Sequence, residues 1–372
     1  MANENPDLLT VAGVLRFLAP TPFASDEVHP LSGGNCNFVY RIHLRTPYNN
    51  ISTLVLKHAE PYVAASAHRM PLAVERQNTE VTAMNAVKAI LSSDAVVIVP
   101  TIHHFDDVAH VVIMDDCGVG AVTLKQLMLK NPPPVSVAKA LGAGLGEFLS
   151  RLHVWGRDPQ TSNHVSFDQN QQGRTISGYV TYGRLVSTLT GKDNIPALSD
   201  PPLDIAQSKL DTISALSSEK IHAINTSHQT LTMGDFWPGN IMVRLNPAGD
   251  SLERAYVLDW EVAKPGVAGL DIGQFCAEMH SLRRFSPACD ASATTVLDAF
   301  LKTYRDAAGV DVGVAKDAMV HVGAHLVAWT PRVPWGSKER TREVVEEGVG
   351  YLVEGYAATQ EWLRGSLVGR LV

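Results

Sequence analysis

The hydrophobic and polar positions change rhythm near residue 115. Before it, short apolar runs suited to strands dominate, and after it come long stretches with helical spacing. Residues 6–18 open the chain with Leu8, Val11, Leu15 and Leu18 on one helical stripe. LSGGNCNFVYRIHL (31–44) then reads as strand, glycine turn and strand, and TLVLKHA (53–59) as a further strand. A helix is predicted over 72–91, and VVIVP (96–100) and HVVIM (110–114) predict two more strands. That order suits a small antiparallel sheet. Residues 115–120 form a short polar connector. Beyond it, helices are predicted over 136–153, 203–224, 291–308, 315–329 and 339–363, with a polar glycine-bearing loop over 156–178. The expected fold class is α+β, with a first part over 1–114, a hinge over 115–123 and a larger, mainly helical part over 124–372.

One β-hairpin interrupts the helical part and carries the chemistry. In LTMGDFWPGNIMVRL…AYVLDWEVA, strands are predicted over 241–245 and 255–258, with Asn246, Pro247 and Gly249 supplying the turn. In an antiparallel hairpin the residue before the first strand lies beside the residue after the second. Asn240 and Asp259 take those places, an amide oxygen and a carboxylate suited to Mg²⁺. Asp235 precedes them across a Pro238–Gly239 turn and is placed to accept a hydroxyl proton. Glu261 is a further acid close to the metal pair, or a solvated strand-end group.

The D-x-x-x-x-N…D pattern resembles the catalytic and metal loops of kinases. In the form GDFWPGN and LDWE it is similar to the aminoglycoside phosphotransferase and choline kinase superfamily. That resemblance implies a two-lobed, protein-kinase-like fold, with a nucleotide-binding lobe over 1–114 and a catalytic and acceptor-binding lobe over 124–372. It also implies ATP as co-substrate and Mg²⁺ as cofactor, with Asp235 as base and Asn240 and Asp259 as metal ligands. Asp271 in GLDIGQF matches a family position that supports the catalytic loop. Where the family carries His before Gly-Asp, this chain has Met233, and altered packing there is expected.

LSGGNCNFVYRI resembles the nucleotide-covering loop of the same superfamily. Gly33 and Gly34 allow backbone N–H groups close to phosphates, and Asn35 and Asn37 either support the turn or reach a phosphate. Lys57 would carry its charge to the α/β-phosphates, held by a carboxylate of the next helix. Glu80 shares a stripe with Met84, Val87 and Leu91, whereas Glu75 shares a face with Thr79 and Thr82, so Glu80 is the expected partner. VVIMDDCG resembles the hinge, where Asp115, Asp116 and Cys117 would offer backbone groups to adenine and turn their carboxylates to solvent. GGNCNFVYRI with VLKHAEPYV is most similar to methylthioribose kinases. Where those would place an arginine pair on the sugar, VHVGAHLVAWTPR offers Ala328–Trp329.

Composition narrows the partners. The chain has 372 residues, 45% hydrophobic and 19% charged, with 31 Lys and Arg against 38 Asp and Glu. A net charge of −7 with scattered basic residues argues against nucleic acid. No apolar run reaches membrane-span length. MANENPDLLT lacks a signal-peptide pattern, so a cytoplasmic protein is expected. Cys36, Cys117, Cys276 and Cys289 form no CxxC pair and predict reduced thiols. His321 and His325, at i and i+4, lack the glutamate and third ligand of a zinc site. His153 closes an apolar helix face and is expected to be packed.

The function expected is transfer of the ATP γ-phosphoryl to a hydroxyl of a small molecule: a sugar, an amino alcohol or an aminoglycoside-like compound. The alternatives are a non-catalytic nucleotide-binding protein and a protein kinase; against the second, no APE segment follows Asp259 in this chain. Residues 272–372 hold no strong acidic excess to trap a polycation. Trp329 and Trp335 sit in a proline-rich segment that either walls the acceptor pocket or packs as a surface corner.

Overall fold

The computed structural model describes residues 6–32, 34–158, 167–309 and 311–372. The chain divides into two compact units, one of Met1–Lys88 with Val99–Val119 and one of Ala89–Ile98 with Gly120–Val372.

The first unit opens with α1 (Val11–Leu18), whose first turn is capped by the Thr10 hydroxyl accepting from Gly13 N. Strands β1 (Ser25–Pro30), β2 (Phe38–Tyr48), β3 (Ile51–His58), β5 (Ile102–Asp106) and β6 (Val111–Asp115) form an antiparallel sheet in the order β1-β2-β3-β6-β5. Leu54, Leu56, Val111 and Ile113 alternate inward and bury one face with Tyr40, Ile42, Val14 and Leu18. Helix α2 (Arg76–Ile90) follows β3 and buries Glu80, Met84 and Val87. The predicted strand over 96–100 does not join this sheet. Its core, β4 (Val97–Ile98), pairs in parallel with a strand of the other unit's sheet, Val97 opposite Ala255 and Ile98 opposite Tyr256. An apolar run of two paired residues carries no mark of its partner.

The second unit is mainly helical. A short β7 (Val122–Thr123) leads into α3 (Leu124–Lys130), which has a Thr123–Gln126 capping box. The long α4 (Val135–Arg157) follows, and further helices span Gln207–Thr226, Ala268–Phe285, Asp290–Ala308, Val312–Trp329 and Lys338–Tyr356. The predicted loop over 156–178 is helical in part: Gln171–Thr181 forms a helix capped by Asn170, whose Oδ1 accepts from Gly173 N. Its glycine and serine content reads as loop, but Arg174 is buried and donates to the carbonyl of Ile224. Residues 159–166 of that stretch lie outside the described residues.

The hairpin forms as β9 (Ile241–Leu245) and β10 (Leu252–Val257), with Val257 opposite Ile241. Asn246 closes its turn, Oδ1 accepting from Asp250 N and Ser251 N. A second pair, β8 (Thr230–Thr232) with β11 (Lys264–Gly266), brackets Asp235 and the hairpin in sequence. No helix of the described residues is long and apolar enough to cross a membrane. None of the four cysteines is in a disulfide among the described residues.

Candidate active site

The hairpin register brings the end of β10 against the start of β9, and Leu258 N donates to the carbonyl of Asn240 at 2.9 Å. Asp259, one residue further on, has a left-handed backbone with φ +60°. Aspartate tolerates this region better than most residues, and such backbones gather at functional sites. Asn240 donates its side-chain amide to Asp235 Oδ2 at 2.8 Å and to the Asp235 carbonyl at 3.1 Å. The amide Oδ1 is then the Asn240 atom left for a cation.

Among the described residues, no cation hydrogen-bonds the Asp235 carboxylate. Two neutral amides hold its carboxylate, Asn240 on one oxygen and Gln274 Nε2 on the other at 2.7 Å. Burial pushes this carboxyl up to about 6; the bonds from Gln274 and Asn240 pull it down, while the charges of Asp259 and Glu261 add to the rise. The result is a carboxylate more basic than usual that is still mostly ionised at neutral pH.

The segment before Asp235 is fixed by Asp271, which is fully buried in the first turn of the helix Ala268–Phe285. Its Oδ2 accepts from Met233 N and its Oδ1 from Gly234 N, both at 2.8 Å. His153 Nε2 lies 3.1 Å from the same Oδ2, and its Nδ1 lies 2.7 Å from the Tyr304 hydroxyl. An imidazole thus meets Asp271 from α4, while Met233 fills apolar space with its side chain fully buried. Gly234 is required on two counts: its φ is +81°, and a Cβ would stand 2.4 Å from Lys264 Nζ and 2.7 Å from the Val262 carbonyl. Lys264 is buried there, donating to Ser177 Oγ and the Val262 carbonyl, and burial lowers its ammonium to about 8. The Glu261 and Ala263 carbonyls accept from Asn170 Nδ2, tying the segment after Asp259 to the Gln171–Thr181 helix.

The residues predicted to meet the nucleotide lie in the first unit. Lys57 Nζ meets Glu80 Oε1 at 2.7 Å, with both side chains almost wholly buried, while Glu75 is exposed. Asn37 is buried, and its Oδ1 accepts from Arg76 Nη2. Arg76 also donates to the carbonyls of Cys36, Glu60, Leu72 and Ala73. It therefore ties the glycine-loop end of β2 to the start of α2. Gly34 and Asn35 are exposed, the Asn35 carbonyl accepting from Ala65 N; Gly33 lies outside the described residues.

One expectation needs correcting. The carboxylates of Asp115 and Asp116 do not turn to solvent. Asp115 accepts from Thr101 N and sits 2.7 Å from His103 Nε2. Asp116 takes a two-pronged pair from Arg41 at 2.6 and 2.9 Å and accepts from Gly118 N. Burial pushes Asp116 up, but Arg41 and Gly118 outweigh it and hold the carboxyl below the usual range. The cause is the cation on β2, which an acid at the end of β6 can reach. Cys117 is buried.

Sequence reasoning passed over Gln274, Arg76, Asn170 and the His153–Tyr304 pair. It also set His325 aside. His325 Nε2 sits 2.9 Å from Glu278 Oε1, and His321 Nδ1 sits 2.9 Å from the Tyr182 hydroxyl. Burial drives His321 down to about 3, so it is neutral.

Comparison with known proteins decides the family. The profile described as phosphotransferase enzyme family matches residues 27–311. The chain belongs to that family. It is 31% identical to 4-hydroxytryptamine kinase of Psilocybe cyanescens over 350 residues, 92% of each chain. The corresponding enzyme of Psilocybe cubensis is 30% identical over 351 residues, again with 92% of each chain covered. Methylthioribose kinase of Bacillus velezensis is 27% identical over 287 residues, covering 74% of this chain and 68% of its own. Among solved structures, an amicoumacin kinase bound to AMP-PNP and Ca²⁺ superposes with a TM-score of 0.50 at 13% identity, covering 92% of each chain. The fold is kinase-like. This phosphotransferase is a small-molecule kinase that transfers a phosphoryl group from ATP to a hydroxyl.

Proposed function

We propose that Asp235 is the general base of this kinase, that Asn240 and Asp259 hold Mg²⁺, and that the acceptor is a hydroxylated aromatic amine. The observation that carries the reading is Asp235 itself, a carboxylate steered by two neutral amides and raised to about 6. A base with that setting takes a hydroxyl proton near neutral pH as the oxygen attacks the γ-phosphorus. The donor chemistry fits the metal, since Asn240 Oδ1 and the Asp259 carboxylate are hard oxygens on the residues that flank the two hairpin strands. When bound, Mg²⁺ neutralises charge on the phosphates. Lys57, fixed by Glu80, supplies a positive charge to those phosphates. Residues 1–114 serve the nucleotide, with 115–123 as the connection. The acceptor class follows from similarity to the two 4-hydroxytryptamine kinases, which spans 92% of the chain.

The test joins calorimetry to turnover. Mg-ATP should bind wild type and fail to bind Asp259→Ala; unchanged affinity in the variant would remove Asp259 from the metal site. A coupled ATP-consumption assay over 4-hydroxytryptamine, methylthioribose, choline and an aminoglycoside then ranks acceptors. A sugar that outperforms every amine would replace the acceptor class.

A further inference from the structure

Beside the base the second unit holds a carboxylate walled by indoles. Gln274, which anchors Asp235, and Glu278 stand four residues apart on the helix Ala268–Phe285, and so share a face. Trp237 lies two residues beyond Asp235. The Lys125 backbone N–H donates to the Pro238 carbonyl at 3.1 Å, fastening the start of α3 to the same loop.

Three groups surround the Lys125 ammonium. Its Nζ sits 3.9 Å from the Trp335 ring centroid and 5.1 Å from that of Trp237. Glu278 Oε2 is 3.4 Å away, longer than a well-made charged hydrogen bond. Burial pushes the Glu278 carboxyl up, but the His325 bond and the charges of His325 and Lys125 outweigh it and hold it below the usual range. Glu278 is thus ionised, with one oxygen committed to His325 and the other facing a loosely held cation. Phe285 stacks on Trp335 at 5.6 Å between ring centroids and fixes that wall. Two ring faces and a carboxylate make a receptor for an alkylammonium ion. The lysine filling it is still about one-fifth exposed.

We propose that the Glu278–Trp237–Trp335 cage is the site for the acceptor's ammonium group, and that Lys125 occupies it as a tethered competitor until an acceptor displaces it. This rests on the reading of Asp235 as base and deepens it, since the cage would hold the amine end of a molecule whose hydroxyl reaches that carboxylate. Lys125 then acts as a specificity-determining residue. A neutral molecule of the same shape cannot replace its charge between the rings, whereas an amine can.

The test separates binding from catalysis. Phenethylamine and N-acetylphenethylamine carry no hydroxyl to phosphorylate and are titrated calorimetrically into wild type, Lys125→Met and Glu278→Gln. The amine should bind wild type more tightly than the amide. Lys125→Met should strengthen amine binding about tenfold, in line with loss of a competing cation–π and charge contact, and leave the amide unchanged. Glu278→Gln should erase the preference for the amine. Lys125→Arg, whose guanidinium can fill the same cage, should resemble wild type, and Lys125→Gln replaces the methionine variant should that one not fold. Equal affinity for amine and amide in wild type, no measurable amine binding, or weaker amine binding in Lys125→Met overturns the proposal. ATP consumption with hydroxylated acceptors is measured in parallel. Its failure with intact amine binding would sink the reading of Asp235 as base toward this acceptor class and leave the cage standing.

Discussion

Lys57 and Lys125 each face a glutamate, one in each compact unit, and the two pairs differ in kind. Lys57 and Glu80 meet at 2.7 Å with side chains 3% and 1% exposed, whereas Lys125 and Glu278 stand 3.4 Å apart at 20% and 8%. The first pair is closed, its charges fixed in place by mutual need, because removing either partner strands an ion away from water. The second is open to exchange, its ammonium resting on ring faces as much as on a carboxylate. Asp235 stands at the far end of this series, a carboxylate held by amides alone. The three groups thus run from a tightly paired charge, through a loosely paired one, to a carboxylate whose hydrogen bonds come from neutral amides.

The sharpest test of that gradation is Asp235→Asn. Turnover should fall roughly 10²–10⁴-fold, the range for a positioned acid–base group, with Mg-ATP affinity nearly unchanged by calorimetry. Turnover within a few-fold of wild type would mean the amide-held carboxylate is not the base.

Next in size is the closed pair. Glu80→Gln should cost about 3–5 kcal/mol of stability in denaturant unfolding, the usual penalty for breaking a buried pair, and should raise the KM for ATP. Glu75→Gln, at an exposed position, should stay within about 0.5 kcal/mol of wild type. Similar losses in both variants would dissolve the contrast between a fixed charge and a solvated one.

The smallest effect is on pH dependence. If Asp235 is the base it works only when ionised, so kcat/KM, which reports groups of the free enzyme, should decline as pH falls through about 6. Gln274→Leu removes a hydrogen bond that lowers the Asp235 carboxyl. Its acid limb should therefore move to higher pH, with the plateau at high pH kept. An unmoved limb would assign the titration to another group.

Which features could be read from the chain follows from how far each contact reaches. The hairpin is local: Asn240 and Asp259 flank two strands joined by one turn, and spacing alone puts them together. Glu80 could be chosen over Glu75 because helical periodicity separates their faces. Gln274, His153 and Asn170 could not, since each meets the catalytic segment from a distant stretch and periodicity names a face without naming its partner. The Asp115 and Asp116 carboxylates were misjudged for the same reason, Arg41 and His103 being invisible from VVIMDDCG. Lys125 reads as an ordinary lysine in the first turn of a helix until Trp237, Trp335 and Glu278 converge on it.

The small β4 has a consequence for dissecting this chain. Ala89–Ile98 belongs with the second unit although the residues on both sides of it in sequence belong with the first. A single cut at Gly120 therefore does not release an intact catalytic fragment. It removes β4 and the two residues before it, where the Val96 carbonyl accepts from Ala255 N and the Ala95 carbonyl from Arg254, leaving β10 with a bare edge open to pairing with another chain. A fragment that re-attaches 89–98 through a short linker, or a permutant that keeps this strand beside β10, should stay monodisperse where the simple truncation self-associates.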